Sequence, residues 1–462
     1  MEYHVAKKLL IIGLDSAAPD LVFKSLAGKL PNIQALMREG SYMRLRSCDP
    51  PITIPAWMVM MTGRDPGEIG LYGFRSRRPG TYNETVLPSS YSVGFPKLWD
   101  FLGDKGLKSC IIGVPPTYPP QKLNGSLVSC FMTPSSRHEF TYPPSLKQKI
   151  QEWVGEYVFD VVFRKEDRDE VLRSVYEMTE KRFTVAGKLL KEGNWDLFML
   201  MEIGLDRMHH AFWKYFDPSH HLHERGNVYE KVIENYYRYL DSKIGELLSL
   251  VSRDTDVLVV SDHGAKRMKG AFCINQWLAD EGYLHFRSQP KGITEIEKAD
   301  IDWSRTVAWG WGGYYARIFI NLEDREPYGI VKRRDYDKIR DELSNALKEI
   351  RGPNGEPWYN KVYRPEEIYR ELRGDPPDLL VYLDDLFWRA AGTVGHGVNY
   401  LSENDTGPDD AVHDYDGIFI YWSCDGVGGP KDGLVSIYDV APTLLDLYGI
   451  APPANLKGRF LF

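Results

Sequence analysis

Seven short, nearly unbroken apolar runs recur along the chain, at 9–14, 109–114, 197–203, 257–260, 316–320, 379–383 and 417–422. A strand with one face in water alternates apolar and polar side chains. A run without alternation is expected of a parallel strand covered on both faces by helices. Longer stretches with helical spacing lie between the runs, most clearly at 166–192, 227–252 and 335–350. Strands alternating with helices predict an α/β fold with a mainly parallel central sheet flanked by helices. Proline and glycine are dense at 45–95, 112–145, 305–330 and 350–376, and the last three segments carry aromatics with weak periodicity. They read as insertions or a lid over the sheet. The expected organisation is one domain over 1–462 with an inserted cap or lid at 270–376.

Composition narrows the function classes. Hydrophobic residues are 43% and charged residues 26% of the 462, ordinary globular usage that argues against disorder. A net charge of −8 makes a dedicated nucleic-acid binder a poor reading. Cys48, Cys110, Cys130, Cys273 and Cys424 contain no CxxC, so neither a disulfide framework nor a zinc ribbon is encoded. Lys7-Lys8 precede only the short run Leu9–Leu14, which Asp15 ends, unlike a secretory leader. No stretch reaches the ~18 apolar residues of a membrane span. The expectation is a soluble cytoplasmic protein with no membrane partner.

In parallel α/β sheets ligands bind beyond the carboxyl ends of the strands, so the ends of the runs matter. The first stops at Gly13-Leu14-Asp15, the third runs through Glu202 to Asp206, and the fourth ends at Ser261-Asp262-His263-Gly264. Core packing alone does not place a carboxylate after three strands. In Asp206-Arg207-Met208-His209-His210, Asp206 and His210 are four residues apart and share a face of any helix that starts there. Carboxylates mixed with imidazoles suit zinc, manganese or iron rather than calcium. Thr53 lies between Pro51 and Pro55, which fix its backbone. Two readings stand: Thr53 caps a helix beginning at Pro55, or its hydroxyl is a nucleophile activated by a divalent cation. Ala308-Trp309-Gly310-Trp311-Gly312-Gly313-Tyr314-Tyr315 reads as a mobile aromatic wall or as a glycine-rich turn with packed aromatics.

Taken in order, these motifs resemble the alkaline phosphatase superfamily. They are Gly13-Leu14-Asp15, Thr53-Ile54-Pro55 with Met61-Thr62-Gly63, Asp206 with His210, and Ser261-Asp262-His263-Gly264. His413-Asp414-Tyr415-Asp416 before the apolar Gly417-Ile418-Phe419-Ile420 is similar to the last histidine ligand, and 436–445 to the C-terminal helix. The nearest branch is the type I phosphodiesterase/nucleotide pyrophosphatase group. Gly113-Val114-Pro115-Pro116-Thr117-Tyr118-Pro119-Pro120 resembles the predicted phosphohydrolase or phosphomutase proteins beside it. The resemblance implies two divalent metal ions, zinc (Zn2+) foremost with manganese (Mn2+) as the other candidate. Asp206, His210 and His413 would hold one; Asp15, Thr53, Asp262 and His263 the other. His413 is preferred to His396 because Gly417–Ile420 follow it at the family's distance, and His209 is read as a neighbour. The implied activity is hydrolysis of small-molecule phosphate esters, of phosphodiester or nucleotide pyrophosphate type, through attack by Thr53 and a phospho-threonine intermediate.

Departures from the pattern narrow this. A sulfatase needs Cys-x-Pro-x-Arg, where this chain has Thr53-Ile54-Pro55-Ala56-Trp57. The asparagine donor common in nucleotide pyrophosphatases is missing from Leu71–Arg78. Arg75 is instead a candidate contact for phosphate oxygens, with Arg77 and Arg78 expected in a solvated basic loop. The alternative is a phosphomutase similar to cofactor-independent phosphoglycerate mutase. Those relatives use serine, and Thr53 favours hydrolysis.

Overall fold

The computed structural model describes residues 8–426 and 434–462; Lys7, the first of the basic pair, lies outside the described residues. The elements that position the site are β1 (Lys8–Leu14), helix α1 (Thr53–Thr62), β2 (Leu197–Glu202), helix α2 (Gly204–Phe216), β3 (Thr255–Val260), β4 (Gly264–Arg267), β5 (Ala411–Asp414) and β6 (Asp416–Trp422). Nine strands form the central sheet. Its order is Val435–Ser436, Ser41–Arg46, β6, β3, β1, β2, Ser109–Ile112, Gly125–Val128 and Thr141–Tyr142. The five strands from β3 to Gly125–Val128 are mutually parallel. The fold is α/β and alkaline phosphatase-like, with a large, mostly parallel sheet flanked by helices.

The apolar runs follow from burial on both faces. Leu10, Ile12 and Leu14 of β1 enter one core with Phe198, Leu200, Val257 and Val259, under the helices Pro31–Glu39, Arg168–Glu192, α2 and Val232–Leu248. Leu9 and Ile11 enter the opposite core with Leu197, Met199, Leu258 and Val260, under α1 and Val440–Leu447. Each fully buried Leu or Ile adds about 1.5–3 kcal/mol, so a polar substitution on either face of β1 is costly.

Three of the runs differ from expectation. Residues 316–320 and 379–383 do not join the central sheet. Ala316–Ile320 and Leu379–Tyr382 sit in a separate four-stranded antiparallel sheet with Ala308–Trp311 and Lys361–Tyr363. That sheet has its own core, including Phe272, Trp309, Ile318, Leu343 and Val381. Burial on both sides produces the same unbroken run whichever way the neighbours point, so the sequence signal was blind to direction. The run 417–422 does lie in the central sheet, as β6, but antiparallel to β3.

Candidate active site

Each carboxyl end of the three middle strands delivers a site residue. β1 runs directly into Asp15, whose backbone N–H donates to the Glu202 carbonyl at 3.0 Å. Ser16 then turns into the left-handed region at φ 66°, and its N–H donates to Asp262 Oδ1 at 3.2 Å, tying the ends of β1 and β3 together. After β2, helix α2 presents Asp206 and His210 one turn apart, with His210 Nε2 3.2 Å from Asp206 Oδ1. The β4–β5 ribbon pairs Ala265 with His413, and the His413 and His263 rings stack at 3.7 Å.

Thr53 does not cap a helix that starts at Pro55. α1 begins at Thr53 itself, with Ile52 as the preceding cap residue, so the hydroxyl is free of capping. It is buried at the positive end of the helix dipole, 3.3 Å from His263 Nε2. Trp57, one turn on, donates Nε1–H to Asp15 Oδ2 at 2.8 Å. Its indole lies so close over β1 that a Cβ on Gly13 would come within 2.4 Å of it, and glycine is required there.

The cluster is buried and short of partners. Among the described residues, Asp15 Oδ1, Asp206 Oδ1 and Asp262 Oδ2 find no hydrogen-bond donor. His263 Nε2 lies 3.1 Å from Asp262 Oδ2 and 3.7 Å from Asp15 Oδ1, and His413 Nε2 lies 3.6 Å from Asp206 Oδ1. Ligand atoms of Asp206, His210 and His413 all fall within 4.8 Å of one another, and so do those of Asp15, Asp206 and His263. Each imidazole is held through Nδ1, which leaves Nε2 facing the cluster. His263 bonds the Gly264 carbonyl at 3.0 Å, His413 the Pro51 carbonyl at 2.8 Å, and His210 the Asp409 carboxylate at 2.7 Å.

The electrostatics show what the cluster lacks. Burial, then repulsion from Asp206, pushes the Asp15 pKa well above the usual range; burial and then Asp15 do the same to Asp262. Burial acts the same way on Asp206, but His210, Arg207 and His413 outweigh it and hold Asp206 well below that range. Burial lowers His263 to about 4, and burial followed by His263 depresses His413. For His210 burial is overridden by Asp409, Tyr314 and Asp206, and its pKa rises. Asp15 and Asp262, pushed up by burial and charge repulsion beside the neutral imidazoles of His263 and His413, call for added positive charge.

Residues outside the sequence reading complete the site. Asp409, fully buried, also accepts from Arg164 Nη2 at 2.8 Å and Arg389 Nη1 at 2.7 Å. Arg207 bridges Asp206 at 2.7 Å and Asp160 at 2.8 Å. Tyr314, from the expected aromatic wall, stacks on His413 at 3.7 Å and has its hydroxyl 3.1 Å from His210 Nε2. Arg207 stood inside a motif already singled out; Asp409, four residues before His413, carried no local signal. His209 is a neighbour, with Nδ1 3.4 Å from Ser16 Oγ and its pKa lowered to about 3 by burial. His396 bonds Thr393 Oγ1 at 2.7 Å.

Arg75 lies apart from the cluster. It lines a cavity of about 520 Å³ that also reaches Ile52, Arg207 and Tyr314. Arg77 corrects the reading of a solvated loop: it is 2% exposed and paired with Glu326 and Asp375. Arg78 is exposed and pairs with Glu84 at 2.9 Å.

A mostly parallel sheet with carboxylates and imidazoles gathered at its carboxyl ends, around a threonine at a helix N-terminus, is the architecture of the alkaline phosphatase superfamily. The family model for type I phosphodiesterase/nucleotide pyrophosphatase matches residues 9–409, and the chain belongs to that family, a phosphoric ester hydrolase. Among solved structures, phosphonoacetate hydrolase from Sinorhizobium meliloti 1021 in complex with phosphonoformate is similar at a TM-score of 0.61 and 15% identity, covering 96% of each chain. Human ectonucleotide pyrophosphatase/phosphodiesterase 5 is similar at 0.57 and 14%, over 98% of this chain and 97% of its own. An inactive threonine-to-alanine variant of the murine counterpart, in complex with AMP, follows at 0.55 and 15% over the same shares. No curated protein sequence matches. Among the described residues no helix is long and apolar enough to cross a membrane.

Proposed function

We propose that this protein is a metal-dependent phosphohydrolase that cleaves small-molecule phosphate esters through a phospho-threonine at Thr53. The observation that carries the reading is the buried Thr53 hydroxyl, 3.3 Å from His263 Nε2 and beside carboxylate oxygens that lack partners. The residues fit two divalent ions. Asp206, His210 and His413 would hold one, and Asp15, Thr53, Asp262 and His263 the other, a carboxylate–imidazole set suited to Zn2+ or Mn2+. When bound, the ions favour deprotonation of the threonine hydroxyl and offset charge on the phosphoryl and departing oxygens.

The chain's own groups supply position. α1 holds the Thr53 hydroxyl at its N-terminus, where the helix dipole and backbone N–H groups favour a phosphoryl oxygen. Thr53 Oγ1 forms the bond to phosphorus as the P–O bond to the ester oxygen breaks, the threonine proton ending on the released alcohol. Water then cleaves the phospho-threonine, releasing phosphate from a monoester or a phosphate monoester from a diester, and restores the hydroxyl. Asp409 holds His210 in one tautomer, and Arg207 braces Asp206. A threonine whose loss leaves the murine protein inactive accords with the nucleophile reading if it occupies the place of Thr53. The five cysteines are free and four are buried, which supports a reducing, cytoplasmic setting.

Thr53→Ala tests the proposal. Hydrolysis of p-nitrophenyl phosphate and bis(p-nitrophenyl) phosphate should fall by about a thousandfold or more, the scale of losing a nucleophile. Zinc content per chain should stay within a factor of two. Unchanged turnover would remove Thr53 from the mechanism. With phosphoglycerate, release of phosphate supports the hydrolase, whereas isomerisation without free phosphate identifies a mutase.

A further inference from the structure

The cavity in front of the cluster carries five arginines: Arg75, Arg164, Arg207, Arg317 and Arg389. Four have carboxylates to answer them. Arg164 and Arg389 share Asp409, Arg207 takes Asp160 and Asp206, and Arg75 has Glu297 at 3.6 Å. Arg317 differs. It is 7% exposed, and among the described residues no ion pair reaches it. Its one hydrogen bond runs from Nη1 to the Arg75 carbonyl at 2.7 Å. The Trp311 ring supports the Arg317 guanidinium at 5.1 Å and that of Arg75 at 5.3 Å, so two cations share one aromatic ring.

A buried guanidinium without an ion-pair partner is costly, and proteins seldom keep one without an anion to pair with it. Burial draws the Arg317 pKa down and the nearby Arg75 adds to that effect, and the opposing influence of Tyr315, Asp375 and Glu297, none of which pairs with it, does not restore it. Gly73 and Arg317 line the same cavity as Arg75. The fork fits an anionic oxygen pair better than it fits a neutral group.

We propose that Arg317, flanked by Arg75, is a second anion subsite, and that the substrate is a phosphate ester whose alcohol part carries another anionic group, a carboxylate or a second phosphate. This rests on the hydrolase reading above for the group at Thr53. Arg317 is separate from the metal-ligand cluster and selects among esters.

The test compares aryl phosphates bearing a para carboxamide, carboxylate or phosphate. The wild type and the variants Arg317→Met and Arg317→Lys are each assayed. Taking each substrate's kcat/KM relative to the carboxamide, and then variant relative to wild type, cancels the leaving-group difference. Arg317→Met should lower that relative preference at least tenfold for one or both anionic esters, with partial recovery in Arg317→Lys. Which ester responds distinguishes a carboxylate from a phosphate subsite. A change below twofold, or an equal loss with the carboxamide, overturns the subsite.

Binding gives a reading that needs neither turnover nor a folded variant. Zinc-loaded wild-type protein is titrated calorimetrically with phenylphosphonates carrying the same para groups. An anionic para group should tighten binding about tenfold; equal affinities overturn the subsite. If no ester is hydrolysed but this preference appears, the hydrolase reading fails and the anion subsite stands.

Discussion

Replacing Asp409 by asparagine tests how the chain prepares a ligand from outside the cluster. One oxygen of Asp409 accepts from His210 Nδ1 at 2.7 Å; the other accepts from Arg164 Nε at 3.0 Å, Arg164 Nη2 at 2.8 Å and Arg389 Nη1 at 2.7 Å. The two guanidiniums require an oxygen on their side. The new amide therefore turns its NH2 towards His210, and Nδ1 must accept. The ring proton then moves to Nε2, the atom 3.2 Å from Asp206 Oδ1, and the lone pair a cation needs is gone. Loss of such an outer partner weakens metal binding by about 10- to 100-fold. Removing the carboxylate also leaves buried Arg389 and half-buried Arg164 short of charge, a loss of about 3 kcal/mol. For a chain of this length that is a fall of about 3 °C in Tm. Calorimetric zinc titration and thermal melts of wild type and Asp409→Asn read both quantities. Zinc affinity within twofold of wild type, with the Tm lowered, would show that Asp409 supports the fold and leaves His210 alone, refuting the tautomer argument.

Three further outcomes are expected. Gly13→Ala drives a methyl into Trp57 and should cost about 1–3 kcal/mol by chemical denaturation, with weaker zinc binding as the bond to Asp15 is displaced. Arg77→Met breaks a buried pairing with Glu326 and Asp375 and should destabilise the protein by about 3 kcal/mol in urea melts, while KM for p-nitrophenyl phosphate stays within twofold. Dialysis against a chelator should abolish phosphate release, and readdition of Zn2+ or Mn2+ should restore it in a colorimetric phosphate assay.

The site was legible where chemistry interrupts burial. Asp15, Asp206 and Asp262 stand out because each follows closely on an apolar run, and a parallel sheet sends such ends to one side. His413 came from family resemblance, because the ribbon that sets it against His263 joins residues 264–267 to 411–414 and leaves no local spacing. Asp409 was beyond reach for the same reason, and Tyr314, read only as part of an aromatic wall or turn, could not be tied to the cluster, since their partner His210 is 199 and 104 residues away. Arg77 was misread because its partners lie 249 and 298 residues off, and a run of arginines looks solvated until such acids are known. The strand Ala316–Ile320 had the right type and the wrong sheet, because local composition records how deeply a strand is covered, not which strand lies beside it.

The carboxylates and imidazoles of the cluster come from the ends of the parallel strands, from α2 and from the β4–β5 ribbon. Arg317 instead lies in the separately cored antiparallel sheet, and Tyr314 in the connection between two of its strands. With Thr53 as nucleophile and Arg317 as anion subsite, as proposed, reaction and recognition would be mounted on different scaffolds. Tyr314, packed on His413, is where the two meet, so a change of alcohol specificity would be sought at Arg317 and not at Tyr314.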